Sequence, residues 1–532
     1  MMSTRAQKRA QKRERSEAGA AETSIRDWIE QDARRFPDKP FIESIAQDKA
    51  ITFAQFRRLT NQIAQYLKAK GFGPNDRLAM LSNNSIEHLA VYIGTMRYGA
   101  TICTIHVEMN AVYFEQILNA VKPKITLYEQ GNNAIDAATL ATKTPGAWMK
   151  LGEWRPEGGS TGFYAEIEKM PDAPVEPVSR REDDASIFYT SGTASKPKGV
   201  ILTYRELIDN TPPSAQYLAL TPDDRILEFR AFNWVSAQVL SGLAPLSVGA
   251  TLLLARHFSQ SRYFDWVREK KATIGICNPT GLAMFLNRPV PISHKDVPHL
   301  RFMTSSSAPL LPEQWKQFED KYGIPVAQGY GCSEIGWIAV SNEHTRRFGT
   351  VGKPLAYHKL TVVDGEGKAL PPGETGEIEL GGFAHNVYRY LAEDGNEKVH
   401  ATDRLRTGDL GYIDQEGCLH ITGRAKDLII RGGVNISPVE IENILLQMPD
   451  VAEAAVIGVP DKIYGEEVVC YIAAKPGRTV SAEAVLAHCG PRLPAFRTPK
   501  EVVFRDHLPK TERGKMNRIA ILDDWKATHA TR

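Results

Sequence analysis

The chain has 532 residues, 42% of them hydrophobic and 24% charged, which is enough for more than one domain with a sizeable core. Its 65 Lys and Arg nearly cancel 63 Asp and Glu, leaving a formal charge of +2, so no global field marks a nucleic-acid or polyanion binder. The six cysteines (Cys103, Cys277, Cys332, Cys418, Cys470, Cys489) form no CxxC pair, and no apolar run nears the roughly 18 residues of a membrane span, which excludes zinc-ribbon, disulfide-framework and membrane-spanning classes.

Within residues 1–24 the stretch 5–17 sets Arg5, Lys8, Arg9, Lys12, Arg13 and Arg15 against Glu14 and Glu17, and Ala fills most gaps of the arm. That composition predicts a basic, solvated, partly disordered arm. An organelle transit peptide is the functional alternative, but the two acids and the missing apolar face weigh against it, as does the missing apolar core against a secretory signal. A cytoplasmic protein is expected.

From Ile25 onward the periods alternate. A short apolar run at 78–81 precedes Ile86, Leu89, Ala90, Ile93 and Met96 at helical spacing, then Gly99, then a β-branched run at 101–105. This is a strand-helix-strand unit, and its rhythm returns around ATLLLA (250–255) after a helical 235–247, and around ATIGIC (272–277) after a helical 263–271. Parallel sheets covered by helices, an α/β class, are the economical reading.

Within this frame IFYTSGTASKPKGV (187–200) opens from an apolar strand into a loop with hydroxyls at Thr190, Ser191 and Thr193, glycines at 192 and 199, and lysines at 196 and 198. Glycine lets backbone amides approach an anion, hydroxyls add donors, and lysine adds charge, so the loop suits phosphate. It is not a Walker loop, because Val200 follows Gly199 where Lys-Ser/Thr is required. An ordinary flexible surface loop is the bland alternative. Thr203, with Glu206 three residues on, predicts a capped helix behind the loop.

Further on, QGYGCSEIGW (328–337) places Ser333 and Glu334 after a glycine-flanked Tyr330. A carboxylate beside phosphate can hold Mg²⁺, and Tyr330 can stack on a flat base; a Gly-rich turn with a solvated Glu is the competitor. Segments within 355–425 (KLTVVD, GEIELGG, GYIDQEGCLHITG) predict short antiparallel strands. RTGDLGYIDQEGCLHITGRAKDLIIRGGVNISPVEIE (406–442) offers Asp409 as an acceptor for two ribose hydroxyls and Arg424 as a donor, with structural ion pairing as the alternative for both. Ser437, Pro438 and Glu440 predict a capping box, and strands near 452–458 and 467–474 begin a small α+β domain. LPKTERGKMNR (508–518) puts Lys515 behind Gly514 in a polar segment; alone, such a lysine is simply solvated.

In this order and at these separations the four segments resemble the adenylate-forming superfamily: acyl-CoA synthetases, the adenylation domains of peptide synthetases, and beetle luciferase. The resemblance spans about residues 25–520. It is most specific to stand-alone acyl-CoA synthetases in GRAKDLIIRGGVNISPVEIE and LPKTERGKMNR. It implies a large N-terminal domain (25–425) of helix-covered sheets plus a β-barrel-like subdomain, and a small mobile α+β domain (426–532).

The resemblance also implies roles. Thr190, Ser191, Gly192, Thr193 and Lys198 would hold the β- and γ-phosphates of ATP, Glu334 would bind Mg²⁺, and Ser333 stands where the family usually has Thr near the α-phosphate. Tyr330 and Ser307-Ala308-Pro309 would border adenine, while Asp409 and Arg424 would serve the ribose. Lys515 matches the lysine bridging carboxylate and α-phosphate, Lys426 the hinge, and Gly432-Gly433 the loop lining the pantetheine tunnel of coenzyme A.

Two departures stand out. Ala194-Ser195 replace the usual Thr-Gly of the phosphate loop, and EFRAFNWVSAQ puts Asn233 where many relatives gate the acyl pocket with His. Pocket candidates by analogy are Asn233, Trp234, Gln238, Ser305, Ser306, Gly329, Cys332 and Trp337; two tryptophans and several amides and hydroxyls favour a short, aromatic or polar-substituted acid, with ordinary core tryptophans as the alternative. Arg230 is a candidate partner for a second carboxylate. The expected activity is that of an ATP-dependent acid:CoA ligase acting on acid, ATP and CoA, with no nucleic-acid or integral-membrane partner and a homodimer compatible. Its rivals are a stand-alone enzyme loading a carrier protein's phosphopantetheine arm and a non-catalytic nucleotide sensor.

Overall fold

The computed structural model describes residues 24–132, 135–190, 198–308, 310–355, 359–381, 387–401, 404–511 and 515–529. Residues 1–23, Ser191, Gly192, Thr193 and Pro309 lie outside the described residues.

Two large mixed sheets dominate. In the first, six parallel strands run in the order Val326–Cys332, Phe302–Ser305, Ile274–Gly275, Arg225–Glu228, Thr251–Leu254 and Pro40–Ser44, extended by antiparallel strands at both edges. In the second, Asp184–Thr190, Thr101–Ile105, Arg77–Leu81, Ile125–Tyr128 and Ala147–Lys150 are parallel, and Lys198–Thr203, Val387–Leu391 and Glu397–Ala401 add antiparallel strands. Near-continuous apolar runs such as Leu78–Leu81 suit parallel strands buried on both faces.

The strand-helix-strand reading holds: strand Arg77–Leu81, helix Ile86–Tyr98 and strand Thr101–Ile105 follow one another, and Gly99 ends the helix at φ 99°. Thr203 and Glu206 form the expected reciprocal cap of helix Tyr204–Tyr217. The helical stretch after residue 235 differs in kind, because Gln238–Leu243 is π-helical. There the fully buried Gln238 amide donates to Phe232 O at 2.8 Å and Thr104 Oγ1 at 3.0 Å, and accepts from Tyr92 at 3.0 Å. A π-bulge commonly marks a functional stretch.

The region of the expected barrel-like subdomain holds a four-stranded antiparallel sheet, Lys359–Val363, Gly376–Gly381, Arg404–Ile413 and Leu419–Arg424. The C-terminal part is a smaller α+β unit. Along its hairpin Val451–Asp461 and Gly465–Ala474, alternate residues enter two cores, Val456, Val468, Cys470 and Ile472 on one face and Ala455, Ile457, Val469 and Tyr471 on the other. The predicted capping box at Ser437 is corrected. Ser437 is the N-cap of helix Pro438–Leu445, but its hydroxyl bonds Thr422 O while Glu440 pairs with Arg497 at 2.8 Å. Tertiary partners outcompete the local cap.

Among the described residues no helix is long and apolar enough to cross a membrane. All six cysteines are free thiols.

Candidate active site

Several of the candidate site residues are gathered by strand pairing. Asp409 and Arg424 lie directly opposite on antiparallel strands, and Arg424 Nε donates to Asp409 Oδ1 at 2.9 Å. The other oxygen, Oδ2, accepts from the Tyr330 hydroxyl at 2.6 Å. Asp409 is thus 7% exposed and held by residues from two further segments, while Arg424 reaches solvent. Burial, reinforced by this carboxylate, pushes the Tyr330 phenol above its usual range, so it stays a donor. The structure shows the ion pair, and the pair orients a carboxylate whose remaining lone pairs are open to further donors.

Glu334 occupies the turn between strands Val326–Cys332 and Gly336–Val340, with Ser333 beside it. That turn is tight: a Cβ on Gly331 would sit 2.2 Å from Gly336 O, so only glycine fits. The Tyr390 hydroxyl donates to Glu334 Oε1 at 2.6 Å, and Lys198 Nζ lies 5.6 Å from the centre of the Tyr390 ring. Cross-strand pairing of Tyr390 with Val200 and of Leu391 with Gly199 brings them together. Gly199 matters here as well, since a Cβ would lie 2.9 Å from the Tyr189 ring. Thr190 closes strand Asp184–Thr190 opposite Lys198.

One carboxylate with about four lone-pair positions, one taken by Tyr390, fits a cation that keeps most of its waters or phosphate oxygens, as Mg²⁺ does. Among the described residues no set of three or more His, Cys, Asp or Glu forms a complete metal cage.

Ser307 and Ala308 form the bend after strand Phe302–Ser305, Ser307 at φ 74° and exposed. Because Ser305 pairs with Gln328, this bend runs beside Gly329 and Tyr330. On the other side of Gly329 lie Trp337 and Tyr217: a Cβ there would sit 2.8 Å from Trp337 and 3.0 Å from the Tyr217 hydroxyl. Trp337 is 5% exposed and packs in a core cluster with Tyr217, ring centres 5.6 Å apart, whereas Trp234 is half-buried and stacks on His106 at 5.4 Å. Asn233, Ser305 and Ser306 are buried. Burial, then the nearby Glu334 charge, raises the half-buried Cys332 thiol well above its usual range and keeps it neutral. Gln238 departs from the other pocket candidates, because its amide is spent on Phe232, Thr104 and Tyr92, partners outside the π-helix.

Lys426 is exposed in the 3₁₀ turn Ala425–Asp427 that leads into the C-terminal unit. Gly432 and Gly433 form a two-residue hairpin turn with φ 56° and 82°, the left-handed pair such a turn demands. Lys515 lies on the same unit, where Thr511 N donates to Lys515 O at 2.8 Å and Lys510 bridges Met516.

Sequence reasoning missed Tyr390 and Tyr217, which reach Glu334 and Gly329 through pairings that local spacing does not encode.

The chain matches the model of the AMP-binding enzyme family over residues 29–390 and that of the AMP-binding enzyme C-terminal domain over 440–515. It is 33% identical to a sulfoacetate–CoA ligase of Cupriavidus necator, covering 92% of this chain and 96% of the relative. It is 34% identical to an indoleacetate–CoA ligase of Aromatoleum aromaticum, covering 93% and 96%. The crystal structure of ATP-bound MatB from Rhodopseudomonas palustris superposes with a TM-score of 0.82 at 28% identity, covering 94% of this chain and 99% of that one. The protein described by these segments belongs to the AMP-binding enzyme family and, within the adenylate-forming superfamily, is an acyl-CoA synthetase.

Proposed function

We propose that this chain activates a short, aromatic or polar carboxylic acid in two steps at one site, in the cytoplasm. In the first, a carboxylate oxygen bonds to the α-phosphorus of ATP and the bond to the β-phosphate oxygen breaks, giving acyl-AMP and pyrophosphate. In the second, the thiol of coenzyme A loses its proton, its sulfur bonds to the acyl carbon, and AMP leaves with the old oxygen.

The first step brings two anions together, so its barrier is dominated by electrostatics, and cations fixed beforehand lower it most. Lys198, with Thr190, Ser191, Gly192 and Thr193, holds the β- and γ-phosphates; Ser333 lies near the α-phosphate. Tyr330 and the Ser307-Ala308-Pro309 bend border adenine, and Asp409 with Arg424 orients the ribose. Mg²⁺ at Glu334 would offset phosphate charge. Lys515 bridges the carboxylate and the α-phosphate, then must withdraw to admit the thiol. A boundary at residues 425–426 with a hinge at Lys426 allows that exchange, and Gly432-Gly433 lines the thiol's path.

The observation that carries this reading is the convergence of Tyr330, Asp409 and Arg424, three separate segments on one carboxylate. A panel of carboxylic acids assayed for AMP and pyrophosphate, with and without CoA, tests it. Acid-dependent AMP formation that yields thioester only with CoA is expected; ATP never cleaved between its α- and β-phosphorus with any acid overturns it.

A further inference from the structure

Behind Gly329 lie buried polar groups for which the adenylation chemistry has no use. Glu228, at the end of strand Arg225–Glu228, is fully buried, and both its oxygens are saturated. Oε1 accepts from Phe229 N at 3.0 Å, Arg230 N at 2.7 Å and Arg230 Nε at 3.0 Å. Oε2 accepts from Arg230 Nη2 at 2.7 Å and Ser241 Oγ at 2.6 Å. This two-point pairing locks the guanidinium in one orientation.

Its outer nitrogen, Nη1, is left with two long contacts, Ser236 Oγ at 3.4 Å and Ser306 Oγ at 3.5 Å. Two hydroxyls near it lack any partner among the described residues: Tyr217, 2% exposed, and Ser305, with no exposed surface. Each such orphan carries a desolvation penalty, tolerated where something bound completes the bond. The groups share one place. Tyr217 OH faces Gly329, Ser305 ends the strand beside it, and Ser306 touches Arg230. The Arg230 charge also acts on the Tyr217 phenol, although burial outweighs it.

We infer that this group of buried donors selects acids bearing a second oxyanion, a carboxylate or sulfonate, held by Arg230 Nη1 and the Tyr217 hydroxyl with Ser305 and Ser306 as further donors. The inference rests on the ligase reading above. Glu228 cancels the net charge of Arg230, so the second oxyanion is met by oriented donors and not by a bare cation; a flat apolar acyl group would leave every one of these donors unpaired. Aromatic walls from Trp337 and Tyr217 keep the tail short.

The test compares matched acids: malonate against 3-methylbutanoate, and sulfoacetate against 3,3-dimethylbutanoate, each pair similar in shape and differing in the second oxyanion. The wild-type kcat/KM should favour the oxyanion member at least 100-fold. Tyr217→Phe, which removes one orphan hydroxyl and should leave Tm equal or higher, should cut that ratio at least tenfold through KM. The double substitution Glu228→Gln with Arg230→Met removes both charges together and should abolish the preference. Equal or better turnover of the apolar members, or a ratio unchanged in Tyr217→Phe, overturns the inference while leaving the ligase reading intact. Failure of every acid, benzoate and phenylacetate included, to release pyrophosphate overturns both.

Discussion

Tyr390 and Glu334 lie 56 residues apart and meet through one hydrogen bond of 2.6 Å, from the phenol to Oε1. The bond ties the Val387–Leu391 strand of one large sheet to a turn at the edge of the other. A phenol donating to a carboxylate leaves its remaining lone pairs open while fixing where they point.

Tyr390→Phe should therefore raise the Mg²⁺ concentration giving half-maximal acid-dependent ATP–pyrophosphate exchange about tenfold, the loss of roughly 1.5 kcal/mol of orientation. Titrating exchange with Mg²⁺ at saturating ATP checks it. An unchanged Mg²⁺ profile with lowered Tm would make the contact purely structural.

Asp409 joins Tyr330 and Arg424, so its loss would remove the proposed ribose acceptor and leave two donors without their carboxylate. Asp409→Ala should weaken ATP binding by about 10- to 100-fold, in line with one or two charge-assisted hydrogen bonds. Arg424→Gln, at the solvent-facing end of the pair, should cost less. Calorimetric titration of ATP into each variant ranks them, and the reverse order would refute the assignment.

Gly329 precedes Tyr330 in the chain and lies against Trp337 and Tyr217 in space, so on the proposed reading it divides the nucleotide side from the acyl side. Its backbone does not need glycine, but its neighbours do: an added methyl would crowd Trp337 at 2.8 Å and Tyr217 at 3.0 Å. Gly329→Ala should raise the KM of the acid at least tenfold while moving that of ATP less than twofold. Steady-state kinetics with each substrate varied in turn decides, and an ATP effect as large as the acid effect would place the acyl side elsewhere.

The parts legible in the sequence are those with short-range codes. Strands such as Leu78–Leu81 announce themselves by apolar runs, Gly99 and Thr203 by the chemistry of helix ends, and Tyr330, Glu334, Asp409 and Arg424 by standing inside dense polar motifs. Ser437 misleads because a distant carbonyl, Thr422 O, captures the hydroxyl that a local rule assigns to the cap. The π-helix at Gln238–Leu243 has no signature in side-chain spacing, since it follows from where Gln238 finds its partners. Tyr390 and Tyr217 are ordinary tyrosines until sheet pairing and packing place them.

His88, fully buried on helix Ile86–Tyr98 with the Ser82 hydroxyl 2.8 Å from Nδ1, has its imidazole pKa lowered to about 4, chiefly by burial; the nearby Glu129 charge and the Ser82 backbone work the other way, and His106 adds to the lowering. Above pH 6.5 the ring is neutral in both folded and unfolded chains. As pH falls below the unfolded value the unfolded chain takes up the proton first, so stability is lost down to about pH 4 and then levels. The loss totals about 3 kcal/mol. Asn keeps a partner for Ser82 without titrating, so His88→Asn should show a smaller fall in Tm between pH 7 and 4 than the wild type. Parallel curves would contradict it.

On the proposed reading Lys515 serves only the first half-reaction. Its ammonium would offset charge where carboxylate meets the α-phosphate, but acyl-AMP is already joined, and the second step would need the lysine out of the way. Lys515→Ala should cut acid-dependent pyrophosphate release by at least 1000-fold, equivalent to about 4 kcal/mol of transition-state stabilisation, while conversion of preformed acyl-AMP to thioester stays within about fivefold of the wild type, a change near 1 kcal/mol. Single-turnover assays of each half make the comparison. Equal losses would mean that one fixed arrangement serves both steps, and the hinge at Lys426 would then have no catalytic purpose.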